Sequence, residues 1–317
     1  MSTSPTNHGA SVRARLLTRA RANNENYNNL LQRYAAERFL YRLGVSSHRH
    51  EYVLKGAMLF GLWGGSVYRP TKDLDFTGYG ASDADTLAEN IREICAIEFV
   101  EDGVQFETGA LRIAPIREDV EYGGVRITFV AMIGGARVPM QIDVGFANAI
   151  HPGATDSDYP QLLSTLPAAH IRAYPQEAVV AEKFHAMVVL GERNSRFKDF
   201  YDLYVLASRF EFDGELLAGA ISSTFERRGT LIADTIPGAL TARFYNDAAR
   251  AARWLGYVAR DKLPGAPSDF AQVGELLVSF IGPVHESLRR KAAAPNRWTY
   301  ELRWPKPDAD KDVENES

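Results

Sequence analysis

The sequence predicts an α/β (α+β) chain, with a mixed sheet flanked by helices followed by a mainly helical C-terminal domain. Three observations predict it. Between residues 104 and 146, β-forming residues cluster or alternate in three runs separated by glycine pairs. Beyond residue 175, apolar residues recur at helical spacing almost to the C-terminus. Upstream of both, Asp73-Leu74-Asp75-Phe76 alternates carboxylate and apolar side chains as a short half-buried strand would.

In order along the chain, Met1 to Gly9 reads as a disordered leader. Ser11 to Leu43 is helical, carried by Leu16, Leu30, Leu31, Tyr34 and Phe39. Five asparagines between Asn23 and Asn29 predict a break near Asn23, because asparagine is a poor interior helix residue. Tyr52 to Trp63 reads as a buried helix opening with a glycine-containing turn, and Arg69 to Gly80 follows with the carboxylate alternation. Ser82 to Ile97 is an amphipathic helix on Leu87, Ile91, Ile94 and Cys95, with Ser82 available as its cap. Val104–Ile116, Val125–Ile133 and Arg137–Phe146 are the strands, with hairpin turns at Gly123-Gly124 and Gly134-Gly135. His151 to Pro160 is rich in Pro, Gly and Asp and reads as a loop and domain boundary. Helices are expected over 176–191, 196–210, 214–227, 239–260 and 268–291, then an acidic, disordered tail over 308–317.

The chain has 317 residues and a net charge of −4, so no general polycationic surface is available, and any nucleic-acid partner must be held by a local basic face. A single cysteine, Cys95, excludes an intrachain disulfide framework and a cysteine-built zinc site, and suits a reducing cytoplasm. No apolar run is long enough to cross a bilayer and the N-terminus lacks the pattern of a signal peptide, so a cytoplasmic protein without a membrane partner is expected.

The chemistry centres on Thr71-Lys72-Asp73-Leu74-Asp75-Phe76. On a strand Asp73 and Asp75 share a face, and two adjacent carboxylates repel unless a cation joins them; Mg²⁺ suits such oxygen ligands and leaves positions for substrate phosphates. An isolated Asp-x-Asp is weak: Asp83 and Asp85 need mean no more than favourable charge at a helix start. Three features strengthen the first pair. Asp143 stands alone in the apolar run Gln141–Phe146, where a buried carboxylate needs a partner or a metal unless the strand is an exposed edge. Lys55-Gly56-Ala57 offers a bend at which backbone N–H groups can meet a phosphate, with Gly64-Gly65-Ser66 as a rival loop. Glu182 and Lys183 sit among apolar residues, as do Lys198, Asp199 and Asp202, which reads either as a phosphate-binding and acidic set or as charges at helix ends and a surface Lys–Asp pair.

The ordered set resembles the AbiEii-type nucleotidyltransferase toxins. The resemblance rests on Lys55-Gly56-Ala57 and Arg69-Pro70-Thr71-Lys72-Asp73-Leu74-Asp75-Phe76. It extends to Ala181-Glu182-Lys183-Phe184-His185-Ala186 and Arg196-Phe197-Lys198-Asp199-Phe200-Tyr201-Asp202-Leu203, spanning roughly residues 52–206. It implies a DNA-polymerase-β-like nucleotidyltransferase core, an NTP donor, and toxin activity in a type IV toxin–antitoxin or phage-defence pair with a cognate antitoxin. Asp73 and Asp75 would be ligands for Mg²⁺ or Mn²⁺, with Asp143 a third ligand or the base. Lys183 would meet the donor phosphates, beside a binding segment of Lys55, Gly56, Ala57, Arg69, Thr71 and Lys72. Asp199 or Asp202 would be the last acidic position. Ala57 departs from the glycine or hydroxyl residue of many members. The organisation expected is a helical segment over 1–44, the catalytic core over 45–155, a helical domain over 156–307 and the tail.

The resemblance also implies RNA as acceptor, with a tRNA 3′ end leading and small molecules such as aminoglycosides, or protein hydroxyls, left open. A phosphotransferase on the same core and an inactive nucleotide- or partner-binding module are the alternatives. Among other features, His48 and His50 read as solvated, His185 as a packing residue and Cys95 as core. Arg289-Arg290-Lys291 with Arg297, Trp298, Arg303 and Trp304 reads as an RNA-contacting surface or as a helix end plus a packed strand.

Overall fold

The computed structural model describes residues 7–64, 69, 71–80, 82–116, 124–146, 149–301 and 303–304. The first six residues, the Gly65-Ser66 loop, Pro70, Gly123 and the acidic tail, named above, lie outside the described residues. The chain divides into two compact units, Met1–Ala149 with Ala154–Tyr174, and Ile150–Gly153 with Pro175–Ser317.

The first unit opens with α1 (His8–Ala22) and α2 (Tyr27–Val45), parted at the asparagine cluster. Asn26 ends the break usefully: its side chain accepts from the Asn29 N–H and caps α2. Then come β1 (Tyr52–Lys55), a 3-10 turn at Gly56–Met58, α3 (Leu59–Gly64), β2 (Asp73–Gly78) and α4 (Ala84–Ala96). The strands β3 (Val104–Ile116), β4 (Gly124–Ile133), β5 (Ala136–Phe146), β6 (Thr155–Tyr159) and β7 (Ala169–Ala173) complete it. The seven strands form one mixed sheet in the order β3-β4-β5-β2-β1-β7-β6. β2 runs parallel to β5 and β1 parallel to β7; the remaining neighbours are antiparallel.

Three expectations are corrected here. Tyr52–Lys55 is a strand, not the start of a helix, because Tyr52, Val53 and Leu54 are β-formers placed between two partner strands. Asp83, not Ser82, caps α4: its carboxylate accepts from the Thr86 N–H, and that bond holds its pKa below the ordinary value. Residues 155–159, read as loop, pair with β7 as an edge strand whose side chains are mostly exposed, which is why its polar composition does not announce it.

Leu74 and Phe76 of β2 are buried on the face that α2 covers, where Phe39 packs within 6.4 Å of the rings of Phe76, Phe106 and Phe129. Strand alternation therefore turns Asp73 and Asp75 to the opposite face. A buried ion pair ties α2 to the turn before β3: Arg42 lies 2.6 Å from Asp102, and both are almost inaccessible to solvent. Taking away one partner of such a pair costs about 3–5 kcal/mol, because the other charge stays buried.

The second unit contains α5 (Gln176–Leu190), α6 (Phe197–Arg209), β8 (Phe212–Asp213), α7 (Gly214–Arg227), α8 (Ala242–Tyr245), α9 (Ala248–Asp261), α10 (Phe270–Arg290) and β9 (Arg297–Trp298). The single helix expected over 239–260 is broken, because Asp247 turns its side chain to the Arg250 N–H and starts α9 afresh. Its core is aromatic: Phe197, Phe200, Phe244, Trp254 and Phe270 lie ring against ring.

Candidate functional site

The sheet register assembles the first group of polar residues. β2 and β5 pair so that Asp75 stands opposite Asp143 and Asp73 opposite Gln141. On the other side of β2, Asp75 stands opposite Lys55, the last residue of β1. β4 adds Arg126 opposite Asp143. The row Lys55–Asp75–Asp143–Arg126 thus crosses four neighbouring strands, with a cation at each end and carboxylates in the middle. Asp73, Asp75 and Asp143 are half-buried.

Asp75 is seated on the glycine bend. Gly56 has φ +73°, and a Cβ built on it would lie 2.1 Å from Asp75 Oδ2. The position therefore needs glycine twice, for the left-handed backbone and for the space the carboxylate occupies. Ala57 is buried, so its methyl belongs to the core. Lys55 sends its ammonium across to β5, 3.2 Å from where a Cβ on Gly145 would stand. Thr71 donates its hydroxyl to the Asp73 carbonyl at 3.3 Å, Lys72 is exposed and Arg69 half-buried. Asp73, Asp75 and Arg69 each have further interaction partners.

Asp143 is clamped. Arg126 donates to both its oxygens, from Nε at 2.9 Å and from a terminal nitrogen at 2.7 Å, and Gln141 adds a longer contact of 3.3 Å. Among the described residues no three His, Cys, Asp or Glu side chains are arranged to hold a metal ion. The donor set nonetheless fits Mg²⁺, which is commonly held by one or two carboxylates together with substrate phosphates. Asp73 and Asp75, on one face of one strand, supply such a pair of hard oxygen donors.

The second group lies within the helical unit. Lys183 on α5 sits 2.7 Å from Asp199 and 2.8 Å from Asp202 of α6, and both carboxylates are nearly inaccessible to solvent. Arg196 reaches the other oxygen of Asp199 at 2.8 Å. The structure therefore brings Lys183, Asp199 and Asp202 together as a buried cluster in which one ammonium serves two carboxylates. Glu182 faces Arg228 at 3.7 Å. His185 accepts at Nδ1 from Arg228 and pairs through Nε2 with Thr230 at 2.8 Å. Burial, aided by the Arg228 charge, pushes its pKa down from 6.5 to about 4, which fixes it as the neutral ring.

The remaining candidates resolve simply. His48 is held between Glu51 at 3.2 Å and Glu93 at 2.8 Å rather than solvated; burial opposes its charge, but the two carboxylates outweigh that and raise its pKa. Cys95 is buried, and burial pushes its thiol up to about 12. Trp298 is fully buried, packed on Phe280 and Trp304, with its indole donating to the Ala207 carbonyl. The C-terminal aromatics are therefore a packed strand and not a base-stacking platform.

Sequence reading missed Arg126. A signal was present, since Gly134 and Gly135 both have positive φ in the two-residue turn between β4 and β5. That turn fixes the register, and Arg126 and Asp143 lie equally far from it. Lys183, Asp199 and Asp202 were each named, but not that they meet.

Comparison with known proteins bears on this arrangement. The family model described as "Nucleotidyl transferase AbiEii toxin, Type IV TA system" matches residues 38–275, which takes in both groups of residues. Two crystal structures from Helicobacter pylori are similar in fold. JHP933 is 14% identical, with 84% of this chain and 95% of that chain covered and a TM-score of 0.49. A candidate nucleotidyltransferase is 15% identical, with 84% and 99% covered and a TM-score of 0.48. No curated protein matches the chain. No helix among the described residues is long and apolar enough to cross a membrane.

Proposed function

The chain belongs to the AbiEii nucleotidyl transferase toxin family of type IV toxin–antitoxin systems, and from that premise we propose that it transfers a nucleoside monophosphate from an NTP to a hydroxyl of RNA, with a tRNA 3′ end as the leading acceptor. The observation that carries this reading is the seating of Asp75 on Gly56, on the sheet face it shares with Asp73 and in register with Asp143. Three carboxylates gathered on one sheet face suit a divalent cation that brings a triphosphate.

Asp73 and Asp75 are the proposed ligands for Mg²⁺ or Mn²⁺, with Asp143 as a third. A cation held there neutralises the donor phosphates and makes the α-phosphorus a better electrophile. The chain's own part is positioning and charge. The backbone N–H groups at Gly56 and Ala57 meet phosphate oxygens, and Lys55 supplies a positive charge over the same face, with Arg69, Thr71 and Lys72 completing the binding segment. The acceptor hydroxyl attacks the α-phosphorus, its proton passes to a base, the bond to the bridging oxygen breaks, and pyrophosphate leaves. Asp143 can serve as that base or as a ligand only after releasing Arg126, which occupies both its oxygens. Lys183 is proposed to meet the donor phosphates, with Asp199 and Asp202 holding it in place. A cognate antitoxin is the partner the family implies.

The test is incubation of the protein with total RNA, Mg²⁺ and each NTP in turn, labelled at the α- or the γ-phosphate. An RNA band labelled from the α position alone is expected; label from the γ position would make the protein a phosphotransferase. Asp73→Ala should abolish labelling while the melting temperature stays within a few degrees. Transfer retained by the folded Asp73→Ala variant would overturn the metal assignment.

A further inference from the structure

Within the helical unit, a cleft of about 440 Å³ opens between the start of α6 and one face of α9. Its lining includes Arg196, Lys198, Arg253 and Arg260, together with Tyr257 and Gly256. Arg253, Gly256, Tyr257 and Arg260 follow the spacing that puts residues on one helix face. Two of the four cations have carboxylate partners, Arg196 with Asp199 and Arg260 with Asp261. Among the described residues Lys198 and Arg253 have none, so the cleft keeps an excess of positive charge in a chain whose net charge is −4.

The aromatic lining is organised. Tyr257 stacks on Phe197 with ring centres 6.3 Å apart and planes 25° from parallel, and the Arg260 guanidinium lies 5.5 Å over the Tyr257 ring. Gly256 supplies an independent pointer. Glycine inside a helix is destabilising relative to alanine, and is retained where a backbone turns abruptly or something must approach it closely. Gly256 lies in the interior of α9, and a Cβ added to it would meet nothing within 4 Å. Packing within the chain thus gives no reason for glycine, whereas a ligand against the bare backbone would.

We propose that this cleft holds a single-stranded segment of the RNA acceptor, with phosphates on Arg196, Lys198, Arg253 and Arg260 and a base or ribose against Tyr257 and Gly256. The proposal rests on the reading that the acceptor is RNA. Cations interleaved with a stacking ring are the pattern by which single strands are held without sequence preference. An acidic protein segment would use the cations, but would give no reason for the bare backbone at Gly256.

The experiment is a fluorescence-anisotropy titration of the full-length protein with a labelled, mixed-sequence single-stranded oligoribonucleotide over a range of salt concentrations. The variants are Lys198→Gln/Arg253→Gln, Gly256→Leu and, as a control at the end of α10, Arg289→Gln/Arg290→Gln. The first should bind at least tenfold more weakly and flatten the log–log salt dependence by about 1.4, roughly 0.7 for each phosphate contact removed. Gly256→Leu removes no charge; it should weaken binding severalfold with the salt dependence unchanged and the melting temperature no lower than that of the parent. The control should bind as the parent does. Unchanged affinity and salt dependence in the first variant would overturn the proposal. So would displacement of the oligoribonucleotide from the parent by poly-glutamate at a lower concentration than by unlabelled RNA, which would assign the cleft to an acidic protein. If these shifts are found while labelled NTP transfers nothing to RNA, the cleft stands and the proposed reaction fails. If RNA is labelled and the shifts are absent, the reaction stands and the cleft fails.

Discussion

Replacing Gly56 by alanine tests the site at its tightest point. The new Cβ would fall 2.1 Å from Asp75 Oδ2, where ordinary contact begins near 3.4 Å, so the carboxylate must retreat by more than 1 Å. The backbone at φ +73° adds its own strain, about 1–2 kcal/mol for an alanine in the left-handed region. Displacing the carboxylate from its partners adds roughly 1–2 kcal/mol more. A total of about 2–4 kcal/mol leaves a domain of ordinary stability folded. The loss of activity should be larger than the loss of stability suggests, since a misplacement of about 1 Å in a reacting constellation costs on the order of 100-fold. The assay is a double-mutant cycle read by urea denaturation, with Gly56→Ala in the parent and in Asp75→Ala. In the second background only backbone strain and a Cβ contact remain, so the substitution should cost about 1–2 kcal/mol less there. Equal costs in the two backgrounds would show that Asp75 does not occupy the space over Gly56, and the proposed site would lose its geometric basis.

Other expectations follow from the same structure. Lys183→Met takes away the ammonium that the buried Asp199 and Asp202 carboxylates share, and should destabilise the protein by about 3–5 kcal/mol. Adding Asp199→Asn and Asp202→Asn should recover most of that in a denaturant titration. His185 has a folded pKa of about 4 against 6.5 unfolded, so between those values the unfolded chain binds more protons. Its contribution is therefore intact above pH 6.5 and lost as the pH falls towards 4. At about 1.4 kcal/mol per pH unit, discounted because the ring retains some contact with solvent, the loss is roughly 2 kcal/mol. Melting temperatures of the parent and His185→Gln should accordingly converge between pH 6.5 and 4, and parallel curves would refute the assignment.

What was legible in the sequence follows physical lines. The long strands β3 to β5 and the helices α5 to α7 announce themselves, because each is long enough for period and turn chemistry to agree. The short β1 does not: Tyr52–Lys55 is four residues of apolar run, and only pairing on both sides distinguishes it from the start of a helix. The carboxylates of the site could be named, since Asp73 and Asp75 are two apart on one strand, but their neighbours required register. Cross-strand pairing brings Asp143 beside Asp75, and pairing through one further strand brings Arg126 to Asp143. The α9 cleft was invisible for a different reason. Arg253, Gly256, Tyr257 and Arg260 look like an ordinary solvated helix face until α6 supplies the opposite wall.

Arg126 decides what Asp143 is for. A guanidinium that donates to both oxygens of a carboxylate leaves little room for a metal ion at the same oxygens, so Arg126 and a cation compete for Asp143. The Arg126 side chain is 43% exposed, so the pair is worth about 1 kcal/mol and not the several of a fully buried one. If Asp143 is a third ligand, Arg126→Gln removes the competitor. The Mg²⁺ concentration for half-maximal transfer should then fall by roughly fivefold, the equivalent of that 1 kcal/mol. If Asp143 instead serves to hold Arg126 over the donor phosphates, the same substitution should raise the KM for NTP and leave the Mg²⁺ requirement where it was. The register favours the first outcome: Asp75, the residue directly opposite Asp143, is itself a proposed ligand, and carboxylates paired across parallel strands repel unless a shared positive charge holds them. In the structure Arg126 holds Asp143 and Lys55 stands opposite Asp75, so each cation stands at an end of the pair and not between the two carboxylates. A titration of transfer against Mg²⁺ for the parent and Arg126→Gln decides between them, and an unchanged midpoint with a raised KM would remove Asp143 from the metal set.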